Sequence, residues 1–168
     1  MKTQKTRRTF CQEKSTNIPS NVEYLIGIDC GTHTGLAIWN VAKREFVSIE
    51  TLAIHRAFEK VKLFFETVSK NTVIYIESPK TFVPFTQKKG AKQVNIAARV
   101  QGAGSIKRDF AAWEDFFNDY KFPFVPTSVI GGAKKIDAVL FAKITGVKYR
   151  TSEHARDAAL IVFQRKTF

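Results

Sequence analysis

Three acids and one histidine in this chain have the types and positions to do chemistry together: Asp29, Glu77, Asp157 and His154. Asp29 closes the apolar run Tyr24-Leu-Ile-Gly-Ile, and Glu77 closes Thr72-Val-Ile-Tyr-Ile. Each short run, bounded by turn residues, reads as a strand buried on both faces. If the two strands lie parallel and adjacent, both carboxylates reach the rim where open α/β sheets hold their ligands. Asp157 stands on the edge of a final helix that is otherwise apolar nearly all round. An acid beside a core is costly unless a cation pairs with it. His154, three residues earlier, shares that helical face. Such an oxygen-rich set suits Mg²⁺ or Mn²⁺ rather than zinc. Two such ions ~3.5–4 Å apart clamp the attacking and leaving oxygens of an in-line phosphoryl displacement. An aspartate after a strand can also cap a turn, and Glu77-Ser-Pro can simply open a loop. The repetition of strand then acid, joined to an acid on the last helix, favours a site.

The elements that must position these groups follow from periodicity. After the glycine-bracketed loop Cys30 to Gly35, Leu36 to Trp39 reads as a second strand and Glu45 to Leu52 as a third. Val47, Ile49 and Thr51 alternate with Ser48 and Glu50, as in a strand with one solvated face. Short loops between the three strands imply an antiparallel meander. Arg56 to Ser69 takes helical spacing, so the Glu77 strand after it should run parallel to an existing one. A long helix is expected from Ala91 to Tyr120, its seam formed by Ile96, Val100, Ala103, Ile106, Phe110, Trp113, Phe117 and Tyr120. Gly102 and Gly104 interrupt it, which points to close approach of another backbone. Phe124 to Pro126 should form a fifth strand, Gly131 to Thr145 a helix, and Ser152 or Thr151 the cap of the last helix. Asp109, Asp115, Asp119 and Asp137 read as solvated helical positions. The expected fold is α/β: a five-stranded sheet with an antiparallel meander of three strands, a fourth strand parallel to one of them and a short fifth, flanked by helices.

With 168 residues the chain suits one folded domain, here 22–168, behind a basic flexible arm at 1–21. The arm holds five basic residues and one acid. A net charge of +12 favours a polyanionic partner, nucleic acid before an anionic membrane. Two cysteines, Cys11 and Cys30, cannot build a disulfide framework and lack metal-type spacing. No stretch approaches the ~18 apolar residues of a membrane span, and no secretory core opens the chain, so a cytoplasmic location is expected. The basic, Ser/Thr-rich opening also admits organelle targeting as a minor reading.

Gly27-Ile-Asp29-x-Gly31-x-x-x-Gly35, the strand ending in Glu77, and His154-Ala-Arg-Asp157 together resemble the RuvC family of Holliday-junction resolvases, within the ribonuclease H-like superfamily. The likeness runs from about Tyr24 to Phe163. It implies a ribonuclease H-like five-stranded mixed sheet, three strands antiparallel and two parallel, in a homodimer that uses Mg²⁺ or Mn²⁺, two ions per site, to nick a four-way DNA junction symmetrically. On this chain it makes Asp29, Glu77 and Asp157 metal ligands, with His154 in the fourth position, an acid in many relatives and a histidine in some. Cys30 stands where the family usually has proline, which leaves the ligand set intact. The family's aromatic wedge follows the second acid, where Phe82 and Phe85 are the candidates. Its long helix forms the dimer seam, which would account for Gly102, Gly104 and an exposed aromatic stripe.

Between Thr86 and Arg108 lie six basic residues and no acid: Lys88, Lys89, Lys92, Arg99, Lys107 and Arg108. With Lys134 and Lys135 they are the expected phosphate contacts, fixing DNA without reading its sequence. The expected function is structure-selective cleavage of four-way DNA, with no small-molecule cofactor and no membrane. Alternatives are a ribonuclease H-like nuclease on RNA or other branched DNA, an actin-like ATPase fragment, and a module that binds nucleic acid without cutting it. The ATPase would need a second comparable lobe, for which there is little room.

Overall fold

The computed structural model describes residues 18–79, 94–127, 136–163 and 165, with the side chains of 94–103 left out. The chain opens with a meander: β1 (Tyr24–Asp29), β2 (His33–Asn40) and β3 (Glu45–Ala53), all paired antiparallel. Helix α1 (Ile54–Thr67) then crosses over to β4 (Thr72–Glu77), which pairs parallel with β1. Helix α2 (Val94–Tyr120) leads to β5 (Phe124–Thr127), parallel to β4. Helices α3 (Ala138–Thr145) and α4 (Glu153–Val162) complete the order. The sheet runs β3-β2-β1-β4-β5, three strands antiparallel and two joined in parallel; the meander and the parallel β4 are as the periodicity implied.

Alternation along the strands splits the core into two halves. Ile26, Ile28, Leu36, Ile38, Ile74 and Ile76 face α1 and α2, where Val61, Phe64, Phe65, Trp113 and Phe117 cover them. Leu25, Ala37, Val73 and Tyr75 face the other way, against Phe141 of α3 and Ala155, Ala158, Ala159 and Val162 of α4. The first half is thick and aromatic, with Trp113 edge-on to Phe58 at 4.3 Å and Phe65 stacked on Phe122 at 4.0 Å. The second is thin. Its helix contributes mostly alanines, and the sheet answers with glycines: a Cβ on Gly27 would lie 2.1 Å from the carbonyl oxygen of Ala158, and one on Gly35 would lie 2.0 Å from that of His154.

Several expectations need correction. Trp113 and Phe117 are wholly buried in the chain's own core, so the α2 stripe is not an exposed aromatic seam. Ile106 and Tyr120, each 45% exposed, lie outside it. Among the described residues, nothing outside the helix's own backbone stands within 4 Å of a Cβ placed on Gly104. Val47 is 54% exposed despite its alternation with Ser48, because the β2–β3 register shifts: Ile38 pairs with Ser48 and Trp39 with Phe46. The extra residue makes a bulge that reverses which side chains face inward. Helix α3 begins only at Ala138, because the Asp137 carboxylate accepts from Leu140 N at 2.8 Å and caps it. Asp137 is therefore a cap rather than a solvated helical position.

Gly27→Ala should destabilise the protein by about 1–3 kcal/mol or more, since the added methyl meets backbone rather than a movable side chain. Gly104→Ala should stabilise it by about 0.5–1 kcal/mol through helix propensity. Urea midpoints of the two variants check the pair, and equal shifts would contradict the difference in packing.

Candidate active site

Asp29 and Glu77 each stand one residue beyond the last matched pair of β1 and β4, Ile28 with Ile76. Neighbouring strands lie about 4.8 Å apart, and residues in register on parallel strands point to the same face. That face belongs to Leu25, Val73 and Tyr75, and therefore to α4. The two acids thus close adjacent strands on the side covered by the helix that carries His154 and Asp157.

Helix α4 is held in place by its own start. Ser152 is the N-cap, its hydroxyl accepting from Ala155 N at 3.2 Å and also bonding Thr51 Oγ1 on β3. Arg156 braces the approach by donating to Thr151 O at 2.7 Å and Ile136 O at 3.1 Å. With Gly35 beneath it, the first turn of α4 sits directly on β2. His154 Nδ1 consequently reaches Asp29 Oδ2 at 2.8 Å, joining residues 125 apart in the chain. Asp157, partly buried, lies three residues further on α4, a spacing that shares a helical face.

Cys30 points to the opposite core and donates from Sγ to the main-chain oxygen of Glu77 at 3.4 Å, tying the two strand ends together. Burial, and then the charges of Asp29 and Glu77, push its thiol up to about 12. Asp109 adds to that field. This acid is 7% exposed, against the expectation of a solvated position. It stands four residues before Trp113 and eight before Phe117, the two wholly buried rings of α2. That spacing was the available signal, outweighed by the polar type of the residue. Arg108 Nη2 lies 3.5 Å from Asp109 Oδ1.

A cation missed in the sequence stands near Glu77. The Arg165 guanidinium lies 4.0 Å from the centre of the Tyr75 ring and donates to Thr127 Oγ1 at 3.2 Å. Thr127 is the register partner of Glu77, and Tyr75 precedes Glu77 by two residues on the same face. Nothing in the sequence linked the end of the chain to β4 and β5, since the contact exists only once α4 has packed. Of the expected DNA contacts, Lys107 and Arg108 are exposed on α2. Arg99 lies within α2, its side chain undescribed, and Lys88, Lys89, Lys92, Lys134, Lys135, Phe82 and Phe85 lie outside the described residues, as does the arm through residue 17.

The donor set fits a hard divalent cation in kind. Asp29 and Glu77 offer carboxylate oxygens, and the Cys30 thiol beside them stays protonated. Among the described residues, no three His, Cys, Asp or Glu side chains close around a single point. The structure brings Asp29 into contact with His154 and lays Glu77 on the neighbouring strand. Asp157 stands one helical turn beyond His154 on α4. Among the described residues, no helix is long and apolar enough to cross a membrane. No protein-family model matches this chain, and no curated protein is similar to it in sequence.

Removing either acid charge should lower the Cys30 pKa, so Asp29→Asn and Glu77→Gln should each shift its alkylation to lower pH, read by mass spectrometry on the Cys30 peptide. The folded thiol at about 12 lies above the 9.0 of a free one, so the folded state keeps its proton longer. The resulting stabilisation is complete below pH 9 and is lost as pH rises toward 12. Cys30→Ala should flatten the alkaline fall of the melting temperature in that window, and an unchanged fall would contradict the assignment.

Proposed function

We propose that this chain is a metal-dependent, structure-selective DNA endonuclease with a ribonuclease H-like domain, acting as a homodimer on four-way junctions in the manner of the RuvC family. The observation that carries the reading is the meeting of Asp29 and His154 at the edge where β1 and β4 end, with Glu77 alongside and Asp157 one turn further on α4. An acidic edge on a chain of net charge +12 supports a site that must accept a polyanion and act on it.

Asp29, Glu77, His154 and Asp157 would hold Mg²⁺ or Mn²⁺. When bound, these ions activate water and neutralise charge on the leaving oxygen. With its proton on Nδ1, His154 donates to Asp29 Oδ2 and keeps that carboxylate turned toward α4. Cys30 stays neutral and uses its thiol to fix the Glu77 main chain, so the spacing of the two strand ends does not drift. Lys107 and Arg108, exposed on α2, add positive charge on the side of the sheet opposite α4. On the same helix, Ile106 is 45% exposed and, among the described residues, nothing outside the helix's own backbone comes within 4 Å of a Cβ placed on Gly104, which suits the proposed two-fold contact.

The test is incubation of the purified protein with labelled four-way junction, duplex, flap and RNA–DNA hybrid in Mg²⁺ and in Mn²⁺. Paired nicking of the junction is expected. Preferential cleavage of the hybrid would instead favour a ribonuclease H-like activity, and binding without cleavage of any substrate would favour a binding module. Asp29→Asn and Glu77→Gln should lower cleavage at least ~10³-fold, in line with removal of a transition-state charge stabiliser, while junction binding in Ca²⁺ persists. Retained cleavage in both variants would remove the acids from the reaction.

A further inference from the structure

The acid edge poses an electrostatic problem of its own. A phosphodiester that reaches Asp29 and Glu77 meets carboxylates first, and in-line displacement places further negative charge on the phosphoryl oxygens. A cation fixed at the same edge would offset both. Arg165 has that placement. Its guanidinium is laid on the Tyr75 ring at 4.0 Å, and Nη2 is anchored on Thr127 Oγ1 at 3.2 Å. Tyr75 and Glu77 are two residues apart on one face of β4, about 6.6 Å along the strand. Thr127 is level with Glu77 on β5, about 4.8 Å away across the ladder. The guanidinium is therefore held over β4 and β5 at the level of Glu77, on the face that α4 covers.

We infer that Arg165, set by Tyr75 and Thr127, forms a phosphate-binding subsite of the acid edge, taking a non-bridging oxygen of the DNA strand at or next to the bond that is cut. This rests on the nuclease reading and deepens it by naming a residue for the substrate. Guanidinium has five N–H donors in a planar fork, a shape that matches two phosphate oxygens. One donor goes to Thr127, and stacking on Tyr75 holds the plane. Side-chain entropy that a free surface arginine would lose on binding is thus already lost on folding. The bland reading is that Arg165 only pins the end of the chain to the sheet. The two differ in one respect: a pin has no partner on the DNA.

The experiment measures binding of a fluorescent four-way junction in EDTA, where nothing is cut, to wild type, Arg165→Gln, Arg165→Lys and Tyr75→Leu. Melting temperatures report folding for each. Arg165→Gln should weaken binding roughly tenfold, the scale of one charge-assisted hydrogen bond to phosphate. It should also make the slope of log K against log salt shallower by about 0.9, the loss of one neutralised phosphate. Arg165→Lys should restore the slope but only part of the affinity, because a lysine keeps the charge without the planar fork. Tyr75→Leu should weaken binding while leaving the slope unchanged.

A second arm places single neutral methylphosphonates along the strand near the branch point. At one position, wild type should lose about the same factor as Arg165→Gln, and Arg165→Gln should lose nothing further. If Arg165→Gln lowers the melting temperature while binding, slope and the methylphosphonate pattern all match wild type, Arg165 is a pin and the inference fails alone. If wild type binds no junction, duplex, flap or hybrid, the inference fails together with the nuclease reading.

Discussion

The contact on which the rest of this structure depends is the approach of α4 to the sheet at Gly27 and Gly35. A Cβ at either position would collide with a main-chain oxygen of α4, Ala158 in one case and His154 in the other. Omitting two methyl groups from the sheet, and presenting alanines from the helix, lets the first two turns of α4 sit directly over β2 and β1. Only then does His154 reach Asp29. A helix spaced by leucines would stand several ångströms further out, since interelement distance follows the side chains at the contact. The acid and the imidazole would not meet.

The two faces of the sheet are built for different ends. Beneath α1 and α2, the rings of Phe58, Phe64, Phe65, Trp113, Phe116, Phe117 and Phe122 fill a deep layer rich in hydrophobic and ring–ring contact. Beneath α4 the layer is shallow, and its value lies in position rather than in area. Between the faces, the Cys30 thiol and the Glu77 main chain join the ends of β1 and β4 from the thick side. The edge is thus held from both directions: hydrogen-bonded thiol and aromatic core on one, capped and close-packed helix on the other.

Charge follows the same plan. The chain as a whole is strongly basic, yet Asp29, Glu77 and Asp109 together act on one thiol. Acids that lose hydration at a sheet edge are costly unless they are partnered. Arginines stand close by on both sides, Arg108 beside Asp109 and Arg165 near Glu77. The proposed nuclease reading gives this arrangement a purpose: acids to hold cations at the edge, and cations around it to hold the strand.

Much of the architecture was legible in the residue order. Strands announce themselves through apolar runs and alternation, and the crossover through α1 forces β4 to run parallel, so the positions of Asp29 and Glu77 at neighbouring strand ends followed from local rules. Ser152 as a cap was equally readable, since its hydroxyl acts within three residues. Other features were decided only in three dimensions. The bulge that exposes Val47 arises from a mismatch between two strands, not from either one. Asp109 is buried because α2 turns its Trp113 face inward, and the polar type of the residue said the opposite. The glycines were visible, but what crosses them was not, and Arg165 reaches Tyr75 and Thr127 from ninety and thirty-eight positions away in the chain. Periodicity governs which way a side chain faces on its own element. Which distant group it then meets depends on how closely two elements pack, and that distance is set by the side chains of both.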